Sequence, residues 1–337
     1  MSEEIKDFEK KINKFKERFE ELTNEIQVAI VGYTDIITDC LNALFCQGHV
    51  LLEGVPGLGK TYLVRIISRV LNLSFGRIQC TPDLMPADIL GTYIVSNDES
   101  GSRSFLFKKG PVFKHLLLVD EVNRATPKTQ AALLEVMQER SVTAGDERMK
   151  LPEPFFVLAT QNPIEMEGTY PLPEAQLDRF FFKVRVPFPD SDELVEISRR
   201  TTRFTEPDVN VVIEGHEIIE FQEILTYVPM ADPLRTYAAS LILATHPENE
   251  MASSEVNQYV AYGASPRGLQ ALTKGARVRC LLDGRTAVSI NDIQSIAKQV
   301  LRHRIILNFE GEAEGFDIDT LIDDIIEKVP TPAGGLV

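Results

Sequence analysis

The residues Gly54-Val55-Pro56-Gly57-Leu58-Gly59-Lys60-Thr61 match the phosphate-loop pattern G-x-x-x-x-G-K-[ST] at every fixed position. Glycines at these points let the backbone take positive φ and remove β-carbons that would hold phosphate away. Backbone N–H groups and the N-terminus of a following helix then face the phosphate oxygens. Lys60 is placed to reach β- and γ-phosphates, and the Thr61 hydroxyl to complete a magnesium shell. The flanks agree: His49–Glu53 reads as a short buried strand and Tyr62–Val70 as a helix. That context implies a nucleoside triphosphate site, rather than a Gly-rich turn with a chance lysine.

A second apolar run, His115-Leu116-Leu117-Leu118-Val119, ends in Asp120-Glu121. At the mouth of a strand, Asp120 can hold magnesium directly or through water, and Glu121 can polarise an attacking water. Two adjacent acids with separate tasks fit hydrolysis better than binding alone; the plainer reading is a strand end capped by solvated acids. This strand is expected to lie beside the strand that precedes the phosphate loop. A third run, Phe155–Thr160, leads into Gln161-Asn162-Pro163. Asn162 can position the γ-phosphate or the water, although Asn after a strand is also an ordinary turn residue. Arg179 lies in Leu177-Asp178-Arg179-Phe180, where an Arg after Asp is commonly a surface ion pair worth little. Arg267 lies in Gly263-Ala264-Ser265-Pro266-Arg267-Gly268, with Ser265 as a natural N-cap and Pro266 as a natural first helical position. A cation there opposes the helix dipole, which points Arg267 toward something outside the helix, such as a phosphate.

The elements that must position these groups follow from pattern. At 337 residues, 44% hydrophobic and 25% charged, the chain has the length and balance of two globular domains. Glu3 to Ile26 carries Ile5, Phe8, Ile12, Phe15, Phe19, Leu22 and Ile26 at helical spacing, a narrow apolar stripe suited to the chain's own core or a neighbouring subunit. From Gln27 to Pro189, strand candidates at His49–Glu53, Gly76–Gln79, His115–Val119, Phe155–Thr160 and Phe182–Val186 alternate with helices, which predicts a parallel sheet covered on both faces. Two hairpins look inserted, at 91–107 around the turn Asn97–Ser102 and at 141–151 around Ala144–Glu147. Beyond Asp190 the pattern turns helical (Asp192–Thr201, Pro233–Thr245, Ser265–Leu282, Asn291–Arg304), a smaller all-α domain. The expected division is a helix at 1–26, an α/β core at 27–189, a helical domain at 190–329 and a frayed tail at 330–337.

Other classes are disfavoured. There is no apolar run of about 18 residues, so no membrane insertion is expected, and the acidic start without a secretory apolar region points to the cytoplasm. Cys40, Cys46, Cys80 and Cys280 lack Cys-x-x-Cys spacing and the five histidines are scattered, so buried thiols are expected rather than a Cys/His metal centre. A net charge of −15 weighs against general nucleic-acid affinity while leaving room for a local basic channel.

Taken together, these motifs resemble an AAA+ ATPase, and more closely the MoxR family. The closer resemblance rests on long blocks: Leu51–Gly57, Arg77–Gly91, Asp120–Ala125, Leu133–Glu139, Ala159–Pro163 and Leu172–Phe180. It spans about residues 25 to 305 and implies an AAA+ α/β core followed by a helical lid. By this resemblance Gly54, Pro56, Gly57, Leu58, Gly59, Lys60, Thr61 and Tyr62 cradle ATP. Thr61 and Asp120 hold Mg2+, Glu121 is the Walker B acid, Asn162 sensor 1 and Arg267 sensor 2. Arg179 is similar to the arginine finger that reaches a neighbouring subunit's ATP, which implies a hexameric ring. Val31-Gly32 matches the segment lining the adenine pocket, and the hairpins match two inserts that face the ring's centre. Gly59 stands where many members have Ala, a change expected to be harmless.

The resemblance implies a remodelling chaperone that matures a protein client together with a separate von Willebrand factor A domain protein, since this chain has no Asp-x-Ser-x-Ser motif of its own. Three alternatives stay open at this point. A nucleic-acid motor of the same clade would use Lys108, Lys109 and Lys114, but Asp98 and Glu99 lie near them. A chelatase-type subunit is mechanically close. A nucleotide-gated scaffold with little turnover is opposed by intact Glu121, Asn162 and Arg179.

Overall fold

The computed structural model describes residues 3–97, 103–164, 168–202 and 207–332. Most of the first hairpin's turn and of the tail lies outside them. Helix α1 (Glu3–Ala29) is followed by α2 (Thr34–Phe45), strand β1 (Val50–Glu53), α3 (Lys60–Val70), β2 (Phe75–Gln79) and α4 (Pro86–Leu90). The first inserted hairpin is β3 (Gly91–Asn97) with β4 (Arg103–Lys109). Then come β5 (Leu116–Asp120), α5 (Pro127–Glu139), the second hairpin β6 (Ser141–Ala144) with β7 (Glu147–Lys150), β8 (Phe156–Gln161), α6 (Glu174–Leu177) and β9 (Phe182–Arg185).

Five strands form one sheet in the order β2-β5-β8-β1-β9, every pairing parallel. Side chains alternate across it, as the two-residue strand period requires. Val50, Leu52, Leu116, Leu118, Phe156 and Leu158 enter one apolar cluster, and Leu51, Leu117, Val119, Val157 and Ala159 the other. Near-continuous apolar runs in the sequence are therefore the mark of strands buried on both faces.

The strand that ends in Asp120-Glu121 does not lie beside the phosphate-loop strand, contrary to the sequence expectation. β8 sits between them, paired with β5 on one side and β1 on the other. Strand order depends on where each crossover helix packs, and no local pattern encodes that. The consequence is chemical, because the end of β8 now lies between the phosphate loop and the two acids.

The remainder is helical: α7 (Ser191–Thr201), α8 (Gly215–Tyr227), α9 (Asp232–Ala244), α10 (Ser254–Tyr259), α11 (Pro266–Leu282), α12 (Ile290–Ser295), α13 (Ala297–Leu301), α14 (Phe309–Ala313) and α15 (Ile318–Lys328). One short antiparallel ladder, β10 (Val260–Tyr262) with β11 (Ile306–Leu307), interrupts it. α11 approaches α2 closely enough for Asn42 Nδ2 to donate to the Gly275 carbonyl at 3.4 Å. A Cβ on Gly275 would lie 2.6 Å from Ile296 Cδ1, whose side chain would have to shift to admit it.

α1 packs inward rather than outward. Phe15 is fully buried, edge-on to Phe45 of α2 at 5.0 Å and to Phe221 of α8 at 5.1 Å. The N-terminal helix thus shares one core with both halves of the chain. Phe15→Ala is expected to cost about 3–5 kcal/mol of stability, whereas Val28→Ala, on the exposed side of the same helix, should stay within about 0.5 kcal/mol. Urea unfolding of the two variants checks this, and equal midpoints would contradict the packing role of α1.

Candidate functional site

The loop between β1 and α3 takes its shape from its glycines. Gly57 and Gly59 have φ of 84° and 72°, and a Cβ on either would meet nothing within 4 Å. Conformation, and not crowding, is what requires glycine here, and the surface above the loop is left open for a ligand. Pro56 to Tyr62 line a cleft of about 380 Å³ with Asp120, Glu121, Thr160 and Asn162. Gly54 closes the loop from below, its N–H donating to the Gln161 carbonyl at 3.2 Å.

Within the cleft the Lys60 ammonium folds back onto the loop, donating to the Gly54 carbonyl and, at 3.0 Å, to that of Val55. Burial pulls its pKa below the ordinary lysine value, opposed by the negative charges of Asp120 and Glu121. Asp120 is tied on three sides. Thr160 Oγ1 donates to Oδ1 at 2.6 Å; Arg77 donates to Oδ2 at 2.8 Å, and Thr61 Oγ1 approaches Oδ2 at 3.4 Å. Glu121 has the left-handed φ of 55°, which turns its side chain out of the strand direction. Its carboxylate accepts from Gln79 Nε2 at 3.1 Å and from Arg124 at 2.9 Å. Buried Asn162 accepts the Ile164 N–H on Oδ1 at 3.1 Å.

A hydroxyl and a carboxylate oxygen converging beside an open phosphate loop are the hard-oxygen donors that Mg2+ takes. Among the described residues no cluster of three or more His, Cys, Asp or Glu could hold a metal by protein ligands alone. Mg2+ typically takes few protein ligands, because it keeps waters and shares substrate phosphates. The residues fit the ion.

Thr160 was not singled out from sequence, yet it contacts both acids: besides binding Asp120, its Oγ1 accepts the Glu121 N–H at 2.8 Å. The available signal was a polar residue ending an otherwise apolar strand. Arg77 and Gln79 also went unassigned, and they are outward-facing residues of β2 that only the pairing with β5 brings to the acids. Val31 and Gly32 border the loop through the next residue, Tyr33, whose hydroxyl donates to the Leu58 carbonyl at 3.2 Å.

Arg179 and Arg267 are not in this cleft. They line a separate pocket with His49, Met137 and Gln138. Arg179 donates to the Leu134 carbonyl at 3.1 Å while its Nε is buried without a partner, and Arg267 lies 3.5 Å from Asp178. As read from sequence, Ser265 caps α11, accepting the Arg267 N–H at 3.1 Å. His49 is buried beside them, and desolvation holds its pKa down at about 4, so it stays neutral near pH 7.

An open glycine loop feeding a helix, two acids at the end of a parallel strand one place removed in the same sheet and a following helical unit define an AAA+ ATPase. Residues 49–182 match the model of the ATPase family associated with various cellular activities (AAA), and residues 252–328 match the AAA lid domain. The chain is 41% identical over 308 residues to the chaperone MoxR1 of Mycobacterium tuberculosis, covering 91% of this chain and 81% of that protein. It is 33% identical to the protein MoxR of Methylorubrum extorquens, covering 94% of each. A crystal structure of a proposed ATPase from Cytophaga hutchinsonii superposes with a TM-score of 0.91 at 39% identity, covering 98% of this chain and all of that one. The chain belongs to the MoxR family of AAA+ ATPases, and it hydrolyses ATP.

Thr160→Val keeps the side-chain shape while leaving the Glu121 N–H unpaired and removing one tie on Asp120. It is expected to lower kcat by about tenfold or more, with ATP affinity within about threefold of wild type and a stability loss of about 1–3 kcal/mol. Lys60→Ala should instead abolish binding. Titration with a fluorescent ATP analogue beside steady-state turnover separates the two; unchanged kcat in Thr160→Val would remove the residue from the site.

Proposed function

We propose that this chain works as one subunit of a cytoplasmic ring, hexameric by family resemblance, whose Mg2+-dependent ATP hydrolysis remodels or matures a protein client. The observation that carries the reading is the separation of Arg179 and Arg267 from the chain's own phosphate loop. A site that needs those guanidiniums is complete only when a neighbour supplies them, and an arginine supplied in this way is worth roughly 10³–10⁵ in rate in related phosphoryl-transfer enzymes.

In this reading the open loop N–H groups and Lys60 hold the triphosphate, with Tyr33, Val31 and Gly32 on the base side. Magnesium, held by Thr61 and Asp120, would neutralise charge on the β- and γ-phosphates. Glu121 takes a proton from water as the water oxygen bonds to the γ-phosphorus and the bond to the ADP oxygen breaks, giving ADP and phosphate. Asn162 orients the water or the γ-phosphate. Arg179 and Arg267 of the adjacent subunit stabilise the charge that spreads over the transferring group. Gln79 and Arg124 both donate to the same oxygen of Glu121, Oε2, so they can orient the carboxylate while its other oxygen meets the water.

Support for a protein client comes from the first hairpin. Tyr93, Ile94, Val95, Phe105 and Leu106 are all exposed there, an apolar patch of the kind that meets another protein. A relative at 41% identity carries the name chaperone. A separate von Willebrand factor A domain protein is the partner that the family resemblance suggests.

Turnover per protomer should rise with protein concentration, require Mg2+, and fall by at least about 10²-fold in both Arg179→Ala and Glu121→Gln. A concentration-independent rate, or full activity in Arg179→Ala, would overturn the shared site.

A further inference from the structure

The residue before Arg179 holds the core to the lid. Asp178 is mostly buried, and its carboxylate accepts from the Ser265 hydroxyl at 2.8–2.9 Å and from Arg304 Nε at 2.9 Å, with Arg267 at 3.5 Å. The backbone around it is held by the same lid arginine. Arg304, whose side chain is 2% exposed, also donates to the carbonyls of Asp178 at 3.2 Å, Phe180 at 2.6 Å and Phe181 at 3.3 Å. Ser265 works in both directions: its O–H donates to Asp178 while its oxygen accepts the Arg267 N–H at the start of α11. One carboxylate therefore fixes the backbone that carries Arg179 and the helix turn that carries Arg267. Its negative charge also lies between Arg267 and Arg304, two cations that would otherwise repel.

Asp178 is absent from the lining of the phosphate-loop cleft, so it has no direct part in its own chain's chemistry. The two arginines it joins come from different halves of the molecule, one ahead of β9 and one opening α11. Without a joint, lid motion would vary their spacing, and misplacement of about 1 Å in groups of this kind costs on the order of 10²-fold in rate.

We propose that Asp178 is a positioning residue that locks Arg179 and Arg267 into one unit, so that both reach the neighbouring subunit's ATP together. This rests on the shared-site reading above and adds to it that the pair acts through a core–lid joint. The lid's position in one subunit then sets the activity of the site next door.

The test uses mixed rings. Asp178→Asn keeps the size of the side chain and removes its charge. It is expected to lower kcat by about 10–100-fold, with KM for ATP within about threefold, because the phosphate loop is untouched. Asp178→Glu should recover part of the loss. Glu121→Gln subunits lack the hydrolytic acid but keep an intact arginine pair. Mixed with Asp178→Asn subunits, they should raise turnover above the sum of the two alone, since each supplies what the other lacks. A purely structural defect in Asp178→Asn would not be rescued this way.

Full activity in Asp178→Asn would overturn the proposal. So would a mixture with no gain, provided that Arg179→Ala mixed with Glu121→Gln does gain. If neither mixture gains, the shared site itself fails and the proposal with it. Should Asp178→Asn not fold, as judged by its melting transition, Ser265→Ala replaces it. It removes one leg of the joint, and a kcat loss of about threefold or more that the same mixture rescues is expected; no loss would overturn the joint.

Discussion

The constraint on which the rest depends is the common direction of five parallel strands. Their pairing sets Glu53 level with Gln161, Val119 with Ala159, and Gln79 with Asp120. Carboxyl ends that finish level put the phosphate loop, two acids and an asparagine along one edge, the place where open α/β sheets bind ligands. An antiparallel partner at any of these positions would carry its polar end to the opposite edge. The three inner strands, β5, β8 and β1, meet a packed apolar layer on both faces.

Hydrogen bonds then fine-tune what the sheet has placed. Thr160 serves both acids through one hydroxyl, accepting from the backbone of Glu121 and donating to the side chain of Asp120. The positive φ of Glu121 is an uncommon conformation for a side chain of its size, and Gln79 and Arg124 hold the carboxylate once it is there. The acids are thus oriented before substrate arrives, while the phosphate loop above them stays open.

Much of this was legible in the sequence, and for definite reasons. The phosphate loop is read from fixed residue types, the strands from apolar runs buried on both sides, and the cap of α11 from Ser265 and Pro266. These are local features, set by backbone conformation and burial. What escaped was pairwise and distant. The position of β8 between β5 and β1 depends on crossover packing. Arg77 and Gln79 look like surface residues of a short strand until β5 lies beside them. Asp178 looks like half of an ordinary surface ion pair, and only the fold brings Ser265 and Arg304 to it. Helix α2 and the lid helices α8 and α15 also went unassigned, while the stretch read as one helix over 291–304 breaks at Ile296, whose φ is −111°.

The edge strand β2 has a consequence of its own. Like β9 at the other edge, it is hydrogen-bonded on one side only, in its case to β5. It is also the strand whose side chains grip both acids, and it runs through α4 directly into the hairpin that exposes Phe105 and Val95. A tug on that hairpin reaches the carboxylates through a stem of about a dozen residues, itself anchored by buried Cys80 and Ile89 and by Thr129 Oγ1, which donates to the Leu84 carbonyl at 2.7 Å. One continuous stretch of chain thus joins an exposed apolar surface to the side chains that hold the acids.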